Sequence, residues 1–385
     1  MTLRQVQDVK KIAGQRVLLR LDLNVPLEQG RVLAADAWRI ERSLPTIKYL
    51  LRHRAKVIVV AHLGRPQGRV VPALSLRPVA RYLGRRLKQP VPLWKHDWIK
   101  LADQSRSLSA GQLALLENIR FQPREQLDCA VLAKRLAQLA DIYVNDAFSN
   151  IHRQDTSMYM ITKYLPSYAG LLLQDEIKYL TKVLNTRRQL SVIFGGAKIS
   201  TKIKLINKFV SRGQVFLGGA LANTMLKARG HDIGRSLVDD DGLAAARKLT
   251  GPRVHLPVDV VVAQSLGARS GRAVKANQVP EKYFIADLGP QTVKNYLAIL
   301  KKQKVIVWNG PLGYFENEKF MVASRTMLLA LSRFKAEVII GGGETVAMVN
   351  KLKLQNKFSF VSTGGGAMLT FLEGAPLPSL EVLKK

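Results

Sequence analysis

Two sets of side chains in this 385-residue sequence are of types that handle phosphate and carboxylate groups. In the first half, Asp22, Asn24, His62, Arg65 and Arg120 fall at or just past the ends of short apolar runs. Arg153 lies a little beyond another, and Arg39 sits in the helical pattern that follows the first. A lone arginine in such a place is usually a surface residue, and a lone histidine is usually structural. Together these basic groups form a candidate clamp for a small phosphorylated carboxylate. Guanidinium forks match oxyanions in pairs, while Asp22 and Asn24 can accept from and donate to hydroxyls.

The second half carries glycine clusters instead: Gly195-Gly196-Ala197, Gly218-Gly219-Ala220, Gly341-Gly342-Gly343 and Gly364-Gly365-Gly366, each after an apolar run. Glycine lets the backbone approach a phosphate closely, and a following helix N-terminus adds free N–H groups and partial positive charge. One such turn is ordinary; four in one half point to a nucleotide or polyphosphate site. Lys198 and Lys202 follow the first cluster at i and i+4, which predicts one shared face of an opening helix. Lysines there oppose the helix dipole, so phosphate binding explains them better than local stability does. Neither GxxxxGK[ST] nor a clean GxGxxG occurs, which argues against a P-loop or a dinucleotide site.

Such residues need a frame that brings strand ends together. Apolar runs recur at 16–26, 56–66, 113–121 and 141–148, then at 191–198, 214–221, 255–263, 304–311, 337–345 and 358–367, with helical patterns between them. Runs of this kind read as buried strands of parallel sheets. The fold class expected is α/β, with two doubly wound, Rossmann-like domains and a cleft between them. Residues 171–185, LLLQDEIKYLTKVLN, show helical spacing without Gly or Pro and are expected to join the domains. The expected organisation is a domain over 1–170, a connecting helix over 171–186, a second domain over 187–370, and a tail over 371–385 packing back on the body.

Composition narrows the classes. A 47% hydrophobic, 23% charged chain of this length excludes disorder and exceeds what one core usually serves. The single cysteine, Cys129, excludes an internal disulfide and a thiolate metal cage. No apolar stretch approaches a membrane span and the N-terminus lacks a signal-peptide core, so a cytoplasmic protein without a membrane partner is expected. The net charge of +32 is spread evenly: residues 1–170 carry 28 Lys/Arg against 13 Asp/Glu, net +15, and the remainder 32 against 15, net +17. Anionic partners are favoured, but no run of Lys/Arg exceeds two residues, so no specific nucleic-acid arm is expected.

At the level of whole motifs the sequence resembles the phosphoglycerate kinase family along essentially its full length. RLDLNVP, AHLGRP, LLENIRF and NDAFSNIHRQDTS in the first half, and GGAKISTKI, VWNGPLGYFE, IIGGGET and VSTGGGAMLTFLEG in the second, resemble that family's segments in order. The resemblance implies a monomeric two-domain ATP-dependent kinase of glycolysis and gluconeogenesis. It would move a phosphoryl group between 1,3-bisphosphoglycerate and ADP, giving 3-phosphoglycerate and MgATP. It also implies roles by position. Asp22, Asn24, Arg39, His62, Arg65, Arg120 and Arg153 would hold the triose. Lys198, Lys202 and Gly365, with Arg39, would serve catalysis. Gly196, Gly219, Asn309, Pro311, Glu316, Gly342, Gly343, Glu344 and Thr345 would hold the nucleotide, with Glu344 facing Mg2+. Three residues depart from the family pattern: Ser149 in place of Gly, Asp155 in place of a second His, and Glu344 in place of Asp. Asp155 is expected to pair with Arg153. A competing reading, from the charge alone, is a protein of this fold that chiefly binds polyanions.

Overall fold

The strands lie where apolar, β-branched residues run together, and alternate side chains enter different layers. In the computed structural model, which describes residues 2–34 and 37–385, the first sheet has the order β3-β4-β2-β1-β5-β6 with every pairing parallel. These strands are β1 (Arg16–Leu21), β2 (Lys56–Val60), β3 (Leu93–Trp94), β4 (Leu113–Leu116), β5 (Ile142–Asp146) and β6 (Ser167–Ala169). Val17, Leu19 and Leu21 of β1 join one core layer with Ile40, Leu44 and Ile47 of the helix Trp38–Arg52. Leu18 points the other way, into a layer with Leu132 and Leu136 of the helix Ala130–Ala137. A strand covered on both faces needs no polar alternation, which is why these runs read as continuously apolar.

The second six-stranded sheet, also parallel throughout, has the order β15-β14-β13-β7-β8-β9. Its strands are β7 (Leu190–Phe194), β8 (Gln214–Leu217), β9 (Val254–His255), β13 (Val305–Asn309), β14 (Glu337–Gly341) and β15 (Phe360–Val361). A three-stranded antiparallel sheet, β11-β10-β12, accompanies it: β10 (Asp259–Ala263), β11 (Arg272–Lys275) and β12 (Phe284–Leu288). The run at 255–263 is therefore not one parallel strand. Pro257 interrupts it, its first residues close the parallel sheet as β9, and the rest turns into the antiparallel one.

The chain divides into two compact units. One extends to Lys178 and regains Gly374–Lys385; the other spans Tyr179–Glu373, so the division falls inside the helix Leu171–Asn185. The tail is tied to the first unit by Arg4 N donating to Leu383 O at 2.9 Å and Ser379 Oγ donating to Arg153 O at 2.7 Å. No helix among the described residues is long and apolar enough to cross a membrane.

Candidate active site

In both parallel sheets the strand order reverses beside the first strand of the unit, between β1 and β5 and between β7 and β13. At such a switch point the loops beyond the carboxyl ends part to either side and leave a crevice for a ligand.

At the first switch point Asp22 follows β1 and is 4% exposed. Its Oδ2 stands 3.1 Å from Arg39 Nη1, and it also accepts from Ser149 Oγ. Arg39 lies in the first turn of the helix Trp38–Arg52, against the dipole, and donates to Asn24 O at 3.1 Å as well. Asn24 Oδ1 accepts from Gly64 N at 3.0 Å, and Arg120 Nη1 donates to Gly64 O at 2.7 Å, so the loops after β1, β2 and β4 are tied at one glycine. Asn118 fixes the same junction, accepting from Leu63 N and Arg120 N and donating to Leu63 O.

His62 is buried beside this network, and its Nδ1 lies 3.1 Å from Arg20 Nη2. A guanidinium can only donate, so Nδ1 accepts and the ring proton sits on Nε2. Burial first, then the charges of Arg20, Arg120, Arg153 and Arg39, hold the His62 pKa well below the ordinary histidine value, and the ring is neutral at neutral pH. Arg153 is half-buried and Arg65 exposed.

Several residues here escaped the sequence reading. Arg20 is a fully buried arginine inside β1, donating from Nε to Ser157 Oγ at 3.0 Å. Glu125 takes the Ser157 N–H at 3.1 Å and the Ser157 hydroxyl, and burial pushes its carboxyl up to about 7. A charged residue at the fifth position of RVLLRL was the available signal. Asp155 does not pair with Arg153 as expected. Its carboxylate faces Arg120 instead, at 3.9 Å, because the chain leaving the turn that ends at Arg153 carries residue 155 into the unit's interior, where it is 4% exposed.

At the second switch point the loops after β7 and β13 pack backbone on backbone. Gly195 N donates to Asn309 O at 3.0 Å and Gly196 N to Pro311 O at 3.0 Å, while Gly219 N donates to Leu312 O at 2.8 Å. A Cβ on Gly195 would stand 1.9 Å from Pro311 O, which no side-chain rotation relieves. Gly195→Ala is therefore expected to cost on the order of 3 kcal/mol or more, read as a lower melting temperature. Wild-type melting of this variant would contradict the packing.

These loops open on a cavity of about 480 Å³. Gly196, Lys198, Lys202 and Gly219 line one part of it and Asn309, Pro311, Glu316 and Glu344 another. An apolar wall comes from Leu237, Val260, Leu266, Phe284, Ile285, Ala286 and Leu288. That wall belongs largely to β10 and β12, the sheet that sequence patterning missed. Lys202 donates to Gly195 O, and burial brings its ammonium down to about 8 against the opposing influence of Glu344. The helix expected to carry both lysines begins only at Ile203, with Lys202 at its N-cap; Lys198 sits exposed in the preceding turn. That turn is held by Asp239 Oδ2, which accepts from Ser200 N at 2.7 Å.

Gly342, at φ 92°, caps the helix Gly343–Lys351, and Glu344 is exposed in its first turn. Thr345 is 1% exposed and its hydroxyl accepts from Gly310 N at 3.1 Å, so it braces the loop rather than lining the cavity. Gly365 opens the helix Gly365–Glu373, and a Cβ there would lie 3.4 Å from Gly342 Cα, which puts the last two glycine turns side by side. Asn309 Nδ2 is buried without an acceptor among the described residues and remains available to a ligand.

Glu344 is a lone metal-facing candidate; no group of three or more His, Cys, Asp or Glu that could hold an ion occurs among the described residues. One exposed carboxylate fits magnesium that arrives on nucleotide phosphates, because Mg2+ usually keeps waters and takes only one or two protein carboxylates.

A family model described as phosphoglycerate kinase matches residues 6–375. The chain is similar to the phosphoglycerate kinase of Moorella thermoacetica, with 42% identity over 384 residues covering 97% of each chain. It is similar to that of Thermomicrobium roseum, with 41% identity over 392 residues and 99% of each. Among solved structures, phosphoglycerate kinase from Coxiella burnetii superposes with a TM-score of 0.85 at 38% identity, covering 99% of this chain and 98% of the other. The enzyme from Pyrococcus horikoshii gives 0.88 at 29% identity with the same coverage.

Proposed function

The chain belongs to the phosphoglycerate kinase family and is an ATP-dependent phosphotransferase; on that premise we propose that it catalyses the reversible transfer between 1,3-bisphosphoglycerate with ADP and 3-phosphoglycerate with ATP, in glycolysis and gluconeogenesis. The observation that carries this reading is the presence of two unlike sites on one chain, a cationic clamp at one sheet switch point and a glycine-lined cavity with an apolar wall at the other.

In the ATP-consuming direction a carboxylate oxygen of 3-phosphoglycerate attacks the γ-phosphorus, and the bond to the β,γ-bridging oxygen breaks with ADP as leaving group. A carboxylate is ionised well below neutral pH, so no general base is needed. What remains for the protein is positioning and charge stabilisation. Asp22, Asn24, His62, Arg65, Arg120 and Arg153 bind the triose in this scheme, with neutral His62 as a fixed donor through Nε2. Leu237, Val260 and Phe284 cover the base, Glu316 meets the ribose, and Gly196, Gly219, Asn309, Pro311, Gly342 and Gly343 shape the phosphate path. Arg39, Lys198, Lys202 and the helix start at Gly365 stabilise the transferring group. Glu344 would hold magnesium brought by the nucleotide, and the ion would supply further positive charge. Each ligand is held by a different unit, so transfer requires the two ligands to be brought together, which also excludes water from the acyl phosphate.

A coupled assay with 3-phosphoglycerate and MgATP tests this. Turnover with kcat in the range of ordinary enzymes, about 1–1000 per second, is expected. Polyanion binding without turnover would instead establish the reading from net charge.

Glu344 gives a finer test. Glu344→Asp shortens the side chain but keeps the charge, and activity is expected to stay within about tenfold, about 1.4 kcal/mol. Glu344→Ala is expected to lose more and to need more magnesium. A magnesium titration of the alanine variant that overlays wild type would remove Glu344 from the site.

A further inference from the structure

Arg120 and Asp155 are each 4% exposed, and Nη2 of one stands 3.9 Å from Oδ2 of the other. That is an ion pair but not a hydrogen bond. Arg120 Nε and Nη2 and Asp155 Oδ2 have no hydrogen-bond partner among the described residues. Arg120 thus keeps one arm on Gly64 O and leaves the Nε and Nη2 donors, the pair that recognises an oxyanion, unspent and buried. The neighbouring carboxylates are already engaged: Asp22 by Arg39 and Ser149, Glu125 by Ser157. Arg153 and Arg20 act on Arg120 as like charges, and Asp155 is the acid that offsets them most.

We propose that Asp155 is a resident counter-anion for Arg120, with which the anionic group of an incoming substrate must share that guanidinium, so that it sets the affinity of the clamp for its triose. The proposal rests on the reading of the first unit as the 3-phosphoglycerate site. In the empty protein the pair offsets the burial of a guanidinium among other positive charges. With substrate bound, two anions share one guanidinium, and part of the binding free energy is spent against their repulsion. The affinity lost in this way also speeds release of a product that the same arginines would otherwise retain.

Asp155→Asn keeps the shape and removes the charge. Its KM for 3-phosphoglycerate is expected to fall by about threefold to tenfold, while its KM for MgATP stays within about twofold. Sulfate, used as a bare oxyanion probe, is expected to compete with 3-phosphoglycerate with its inhibition constant lowered by a similar factor. Sulfate should also raise the variant's melting temperature more than that of wild type. Without sulfate the variant is expected to melt lower, because Arg120 has lost its counter-charge.

A variant that only melts lower, with KM and the sulfate constant unchanged, overturns the proposal. So does a raised KM, which would mean that Asp155 orients Arg120 for substrate. Should the variant not fold, the carboxyl-carbon resonance of Asp155 in isotope-labelled wild type decides: it is expected to shift on saturation with sulfate, and no shift overturns the proposal. If wild type turns over no 3-phosphoglycerate, the functional reading fails, while the sulfate measurements still test Asp155.

Discussion

Arg39→Ala is expected to lower kcat by about two to three orders of magnitude, the scale of losing one preorganised donor at a transferring phosphoryl group, or about 2.7–4 kcal/mol. The geometry explains why the loss should fall on kcat. Arg39 Nη1 is already held by Asp22 Oδ2 and Asn24 O, each at 3.1 Å, so the guanidinium needs no reorganisation when charge develops. A donor fixed in this way is worth most where negative charge is moving between oxygens, and less where a bound anion can adjust to it. Arg39→Lys retains charge but not the planar guanidinium whose Nη1 meets both Asp22 and Asn24, and should recover only part of the loss. Steady-state kinetics with both substrates varied checks this. A raised KM for 3-phosphoglycerate with kcat intact would reduce Arg39 to a binding residue.

Much of this arrangement was legible in the sequence because parallel strands covered on both faces leave a one-dimensional trace: an unbroken apolar run, then the residue at its carboxyl end. Asp22, His62 and Arg120 could be assigned to a shared rim from that trace alone, as could the glycines at 195–196 and 341–343. What the trace lost had identifiable physical causes. Arg20 sits within a run, and its partners, His62 and Ser157, are 42 and 137 residues away, a pairing that no local pattern encodes. The antiparallel sheet was hidden because β11, RAVK, is mostly exposed and carries no apolar periodicity. The start of the helix at Ile203 was misplaced because a glycine cluster after a strand reads as opening a helix directly, whereas Asp239, far along the chain, accepts from Ser200 N and holds an intervening turn. Asp155 was assigned to Arg153, two residues before it, and burial beside Arg120 gave it to that residue instead. Rim positions follow from local pattern; the partners of buried charges are decided by tertiary packing.

Lys202 combines the two levels, and the largest effect is expected there. Lys202→Met is expected to lower kcat/KM for MgATP by about three orders of magnitude, since it removes a charge held at the phosphate path. Burial brings the wild-type ammonium down to about 8 in the free protein. Therefore kcat/KM, which reports the free enzyme, should fall as pH rises through about 8, while kcat holds to higher pH because bound phosphates favour the charged form. Lys202→Arg, which stays charged, should remove that alkaline limb. Stability runs the other way. A lysine whose folded pKa lies below its unfolded value binds fewer protons folded than unfolded between about 8 and 10.5, so its contribution to stability rises with pH across that window and is least favourable below it. At pH 7, then, Lys202→Met should melt above wild type while nearly inactive. A variant that lost activity and melting temperature together would show that the Lys202 hydrogen bond to Gly195 O supports the fold more than the charge disturbs it. An unchanged alkaline limb in Lys202→Arg would assign that limb to another group.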